Sequence, residues 1–355
     1  MVPEAMLPPV PIPQIIAFAL GAAVVARTIL SAVRAFMLPR ASHDRVARFV
    51  FRSTRRVFNL FAGPSVPYET RDRYLAYFGP VSLVMLPVTW LFLIASGYAA
   101  MFWALGVGQP WDAVASSGSS LLTLGFIRPT TPVAELLAFT EAMMGPSLLA
   151  LLVSYLPTIY TGFSRRELLV TMLATRADSP PSPVVLITRF ARHEGWSALS
   201  DMWVEWERWF AELEETHTSL TILVDYRSQQ STHSWVNAAG AMLDAASIVR
   251  SSVDIPADVR ADLMIRAGYI ALGRIADGFS LPYDREPTTE SPIAVDRPRF
   301  DAAVDALAAA GVPVVADRDA AWSDFHGWRI NYDGALGALA RITSAPTPWW
   351  SHPPV

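Results

Sequence analysis

A chain of 355 residues that is 52% hydrophobic and only 17% charged is too apolar for an ordinary soluble protein, and its second half is too charged to lie wholly in a bilayer; a membrane part and a soluble part are expected. All 28 basic residues are arginine and cysteine is absent, which excludes a disulfide framework and a thiolate metal site. The formal net charge of −4, with no basic stripe interleaved with aromatics in the soluble half, gives no reason to expect nucleic acid as a partner.

The first apolar run, Pro11 to about Met37, carries Arg27 and Arg34 toward its end, seven residues apart and so on one helix face. A secretory signal peptide places its charge before the apolar run, whereas here charge follows it. A membrane helix over residues 1–40 is expected, with arginines snorkelling to the cytoplasmic surface; a peripheral amphipathic helix is the other reading. Residues 41–78 form an arginine-rich segment: between about Leu38 and Phe78, Arg40, Arg45, Arg48, Arg52, Arg55, Arg56, Arg71 and Arg73 stand against only Asp44, Glu69 and Asp72. That imbalance assigns the segment to the cytoplasm. Phe49, Val50, Val57, Phe58 and Phe61 interleave with the charges, which suits either a helix in the interface of an anionic leaflet or a solvated linker helix.

From Tyr74 to Trp111 no ionisable Asp, Glu or Arg occurs, longer than the ~20 residues that span a bilayer. The following interval holds only Asp112 and Arg128, too apolar for a free loop and too short to cross and return. A half-inserted segment satisfies both limits, since irregular backbone at membrane depth survives only when buried in protein or lining water. Pro110 to Gly118 reads as a short helix with proline in its first turn and an acid nearby. A second long helix is expected from Thr131, with Glu135 near its start, Glu141 about 15 Å in, an uncharged run from Ala142 to Ser164, and a stop at Arg165 and Arg166. Gly145, Pro146 and Pro157 should bend it, unless they are simply the glycine and proline common in membrane helices.

Between the short helix and the long one lies Thr123-Leu124-Gly125-Phe126. These four residues resemble the T-x-G-[YF] core of the potassium channel pore-loop family, and the order of outer helix, pore helix, loop and inner helix over residues 79–164 resembles its pore. The resemblance implies an all-α membrane protein in which four identical chains replace an ion's hydration shell with loop carbonyls. It also implies that Thr123, Leu124, Gly125 and Phe126 bind the permeant ion, expected to be K⁺, with no cofactor and no metal beyond it. Glu141 would brace the loop through Ser116 or Ser117, and Gly145, Pro146 and Pro157 would let the inner helix open. Ile127 and Arg128 stand where the family has a second glycine and an acid, so a distorted outer carbonyl ring and a cation-repelling mouth are expected.

Residues 165–183, with Ser179-Pro180-Pro181-Ser182-Pro183, read as a stiff linker to a helical cytosolic domain over 184–355. There Leu199, Met202, Trp203, Trp206, Trp209, Phe210 and Leu213 repeat at helical spacing, a core stripe rather than a cofactor site. Further helices are expected at about Ser234–Val253, Pro256–Asp277, Arg299–Ala310, Asp317–His326 and Asn331–Ile342, separated by turn-rich breaks. No GxSxG, HExxH or P-loop pattern occurs and the six histidines show no ligand spacing, so an enzyme is not expected. The sequence thus points to a homotetrameric, multi-pass cell-membrane cation channel whose cytosolic domain binds an unknown ligand or protein. The alternative is a channel-derived scaffold or sensor that no longer conducts.

Overall fold

A computed structural model describes residues 11–37, 44–63, 66–346 and 348–349; Arg40 and His43 of the arginine-rich stretch, and His352, lie outside them. Helix makes up 77% of the structure and no strand occurs among the described residues, the only extended pairing there being an antiparallel bridge between Val253 and Val314, so the fold is all-α. Three helical stretches, Ile12–Ala35, Tyr68–Ala104 and Pro132–Ala177, are long and apolar enough to cross a membrane. The chain divides into two units, one of residues up to Asn59 with Pro80–Thr158, the other of Leu60–Gly79 with Ile159 onward.

The first unit holds α1 (Ile12–Met37), α2 (Arg45–Phe61), α4 (Phe78–Ala104), α5 (Pro110–Leu121) and the first part of α6 (Pro132–Ala177); α3 (Tyr68–Leu75) belongs to the second. Its core is organised by α4, which buries Trp90, Ile94, Tyr98 and Phe102 at four-residue spacing. Val25 of α1, Val50 of α2, Ala113 and Leu121 of α5, and Ala134 and Leu148 of α6 pack around that row. Asp44 caps α2 by accepting the Ala47 N–H at 2.8 Å, and the same oxygen accepts the Ser31 hydroxyl at 2.7 Å. The Trp90 indole donates to Ser31 Oγ at 3.0 Å, so one capping carboxylate ties three helices together. On α2, Val50 points inward while Phe49, Val57 and Phe61 are exposed.

The long helix departs from expectation at its far end. Arg165 and Arg166 do not stop it, and Pro146 and Pro157 do not interrupt it: α6 runs for 46 residues to Ala177. Each proline removes one rung of the ladder, which flanking rungs tolerate, and beyond Ser164 a new apolar face of Val170, Leu173 and Ala177 is buried in the second unit's core. Arg166 is itself buried there, donating to the carbonyls of Leu223 and Tyr226 at 2.7 Å each and pairing with Glu167 at 2.8 Å. The 165–183 linker is therefore shorter than expected. Only the turn after Ala177 remains, and Pro183 is buried at the first position of α7 (Pro183–Arg189), behind the capping residue Ser182.

A π-helical turn, Phe190–Glu194, leads into α8 (Trp196–Ser219), where all seven residues of the aromatic stripe are buried. α9 (Trp235–Ser252) is buried along almost its whole length, with Arg250 at the end excepted, which explains its alanine-rich sequence: small side chains admit neighbours on every side. α10 (Val259–Gly278) and α11 (Arg297–Ala309) fall within three residues of the expected bounds, capped by Asp258 and Asp296. The two short helices expected after Asp317 are one, α12 (Arg318–Thr343). Gly327 sits inside it, a loss of ~1 kcal/mol relative to alanine that the buried stripe of Phe325, Tyr332, Ala335, Leu336 and Leu339 outweighs.

Two buried polar clusters fix this unit. Asp244 of α9 accepts Arg329 Nη1, the Tyr332 hydroxyl at 2.8 Å and the Trp349 indole at 2.8 Å. His217 faces Arg166 Nη1 at 3.2 Å through Nε2; since a guanidinium can only donate, Nε2 accepts and the ring proton sits on Nδ1. Burial, and then the Arg166 charge, hold this imidazole well below its usual value. As pH falls, the unfolded chain binds the proton first, so stability is complete above the unfolded value of ~6.5 and is lost below it. Denaturant midpoints should fall from about pH 6.5 downward, with a limiting slope of ~1.4 kcal/mol per pH unit. His217→Gln, which keeps an acceptor for Arg166, should flatten that limb, and an acid limb identical to the parent's would assign the effect to other groups.

Candidate pore loop and its supports

The short helix α5 is built as its sequence suggests. Pro110 occupies the first position, and Asp112 reaches back to accept the Gln109 N–H at 2.8 Å. It continues three residues past Gly118, ending at Leu121, and buries Ala113, Ser116, Ser117, Ser119, Ser120 and Leu121.

The chain then folds back over the helix end. Thr123 N–H donates to Ser120 O at 3.0 Å, and the N–H groups of Leu124 and Gly125 both donate to Ser119 O, at 2.9 and 3.2 Å. Ser119 Oγ accepts a further N–H, from Ile127, at 3.1 Å. Two residues make this possible by left-handed backbone, Thr123 with φ 54° and Gly125 with φ 69°. Glycine tolerates that conformation; threonine, β-branched, holds it at a cost of ~1–3 kcal/mol. In a trans peptide the C=O of one residue points opposite to the N–H of the next. With the Leu124 and Gly125 N–H groups aimed at Ser119, the carbonyls of Thr123 and Leu124 point away from the helix. Among the described residues nothing donates to either of them. Thr123, Leu124, Gly125 and Phe126 are all exposed, Phe126 by 66%.

Behind the loop, Glu141 of α6 is fully buried and accepts the Ser117 hydroxyl at 2.5 Å, while Ser117 Oγ also lies 3.0 Å from Ala95 O. Of the two hydroxyls expected beside Glu141, only that of Ser117 is bonded to it; Ser116 Oγ finds no partner among the described residues. One turn along, Gly145 faces Leu121: a Cβ on Gly145 would lie 2.1 Å from the Leu121 carbonyl oxygen. Residues 141 and 145 on α6 thus meet 117 and 121 on α5, two contacts a turn apart. Pro146 and Pro157 are exposed.

Beyond the loop come Ile127 and Arg128. Ile127 does not adopt the left-handed backbone that a second glycine would permit; the left-handed residues of the loop are Thr123 and Gly125. Arg128 is not an unopposed cation, because it pairs with Glu135 at 2.7 Å, although 86% of its side chain remains exposed. Sequence reasoning missed Ser119 as the common acceptor, for which a lone serine in a serine-rich helix gives no signal. The Arg128–Glu135 pair was legible in principle, seven residues apart across a proline-marked helix start. Comparison with protein families, characterised proteins and solved structures finds no match for this chain.

Proposed function

We propose that the protein is a homotetrameric cation channel of the cell membrane, preferring potassium, in which four copies of Thr123–Phe126 line the permeation path. The C-terminal helical unit lies in the cytoplasm and adjusts gating. The observation that carries this reading is the pair of outward carbonyls at Thr123 and Leu124, exposed, without donors and held by a backbone that satisfies its own N–H groups on the opposite side. α6 supports assembly, since only 11% of its most apolar window is buried within one chain and Leu136, Phe139, Met143, Leu149 and Val153 are exposed. Lipid or other subunits must cover that surface.

Purified protein in liposomes should carry a potassium flux that exceeds sodium flux. Thr123→Ala should leave assembly intact and lower the potassium preference, by removing a side-chain oxygen next to the carbonyl row. A tetramer in a sealed bilayer that passes neither ion under any potential or pH would sink the channel reading in favour of the non-conducting scaffold. Equal flux of both ions would sink the potassium preference alone.

A further inference from the structure

The first unit contains a cavity of about 590 Å³ between α1, α2 and α4, within the range of small-ligand sites (~300–1,000 Å³). Arg27 and Arg34 of α1 line it from one side and Arg45, at the start of α2, from another. Leu30 and Leu93 form an apolar wall. The only carboxylate in the lining is that of Asp44, one oxygen of which accepts both the Ser31 hydroxyl and the Ala47 N–H, and three arginines outnumber it. None of the three guanidinium groups forms an ion pair among the described residues. Arg27, Leu30, Ser31 and Arg34 recur at helical spacing, so this face of a membrane helix is specifically basic. Arg27 lies ten residues before the end of α1, about 15 Å along the axis, where a cation needs a partner.

We infer that this cavity binds the phosphate of an anionic phospholipid, the three arginines holding the headgroup while the acyl chains run along the Leu30 and Leu93 wall. Guanidinium forks match phosphate oxygens, and the apolar wall opens the site to lipid rather than to a free anion. The inference requires α1 to lie in the bilayer and is independent of ion conduction, so a failed flux assay leaves it standing.

The test uses the full chain in detergent micelles doped with phosphatidylglycerol and phosphatidylcholine, with retained lipid counted by native mass spectrometry. Phosphatidylglycerol should be retained at least tenfold over phosphatidylcholine, and the double variant Arg27→Gln, Arg34→Gln should lose that preference while keeping the parent's helix content and oligomeric state. Should the double variant misfold, Arg45→Gln alone should weaken retention severalfold, because Arg45 is exposed at a helix start. Inorganic phosphate at millimolar concentration should not displace the lipid. Displacement by inorganic phosphate would overturn the lipid assignment in favour of a soluble anion site. Equal retention of both lipids, or preference unchanged in folded variants, would overturn the site.

Discussion

Gly145→Val should abolish recovery of assembled protein. The added Cβ falls 2.1 Å from the Leu121 carbonyl oxygen, and the obstacle is backbone at the end of α5, which cannot rotate away as a side chain would. Overpacking in a core typically costs ~1–3 kcal/mol; here relief requires α6 to move off the helix that carries the loop, so the upper end or more is expected. The Glu141–Ser117 bond, one turn away, would be pulled with it. Size-exclusion yield and potassium flux from the same preparation measure the result, with Gly327→Ala, where an added Cβ meets nothing within 4 Å, as the control. The sequence alone suggested that Gly145 is a flexible point. That role predicts that Gly145→Ala folds normally and gates abnormally, whereas the close approach predicts a loss of assembly. Wild-type yield from Gly145→Val would exclude the close approach.

Asp244→Ala should unfold or nearly unfold the C-terminal unit. Removing the carboxylate leaves Arg329 Nη1 without its buried acceptor and strips the Tyr332 hydroxyl and the Trp349 indole of theirs. Breaking a buried ion pair from one side costs ~3–5 kcal/mol, a large share of the stability of an ordinary domain. Asp333, 2.9 Å from Arg329 Nε, offsets part of the charge and places the expectation at the lower end. Replacing both partners, Asp244→Leu with Arg329→Met, should recover part of the loss, because no buried guanidinium is then left without its acceptor, while Asp333 keeps the Ala294 N–H. Thermal unfolding of the three proteins decides it. A single variant as stable as the parent would show that water reaches Arg329.

Local periodicity made much of this fold legible. The stripe from Leu199 to Leu213 named its own buried face, and α9, α10 and α11 fell within three residues of the bounds expected from the sequence pattern. What stayed hidden depended on partners distant in the chain. Asp244 is the one acid of α9, but nothing near it in sequence announces Arg329, 85 residues away. Arg166 looked like a stop at the membrane surface because snorkelling is the ordinary fate of such an arginine; its buried acceptors lie 57 and 60 residues on. Gly327 looked like a break because tertiary packing, which overrides its propensity, is not a local property. In the loop, the left-handed glycine could be anticipated from residue type. The left-handed Thr123 could not, since its conformation follows from both N–H groups beyond it turning to Ser119.

That loop is written once in the chain but would be read four times around the proposed axis, and this changes the arithmetic of its evolution. In the proposed tetramer any substitution there would arrive in quadruplicate. A change worth only ~0.5 kcal/mol per copy, too small to notice in an ordinary surface turn, becomes ~2 kcal/mol at the shared site, roughly thirtyfold in an ion's occupancy. Selection would then see this segment through a magnifier. Tolerance there should be far narrower than its exposure in a single chain suggests, and a residue as ill-suited to left-handed backbone as Thr123 would persist only where its oxygen outweighs the strain in every copy at once.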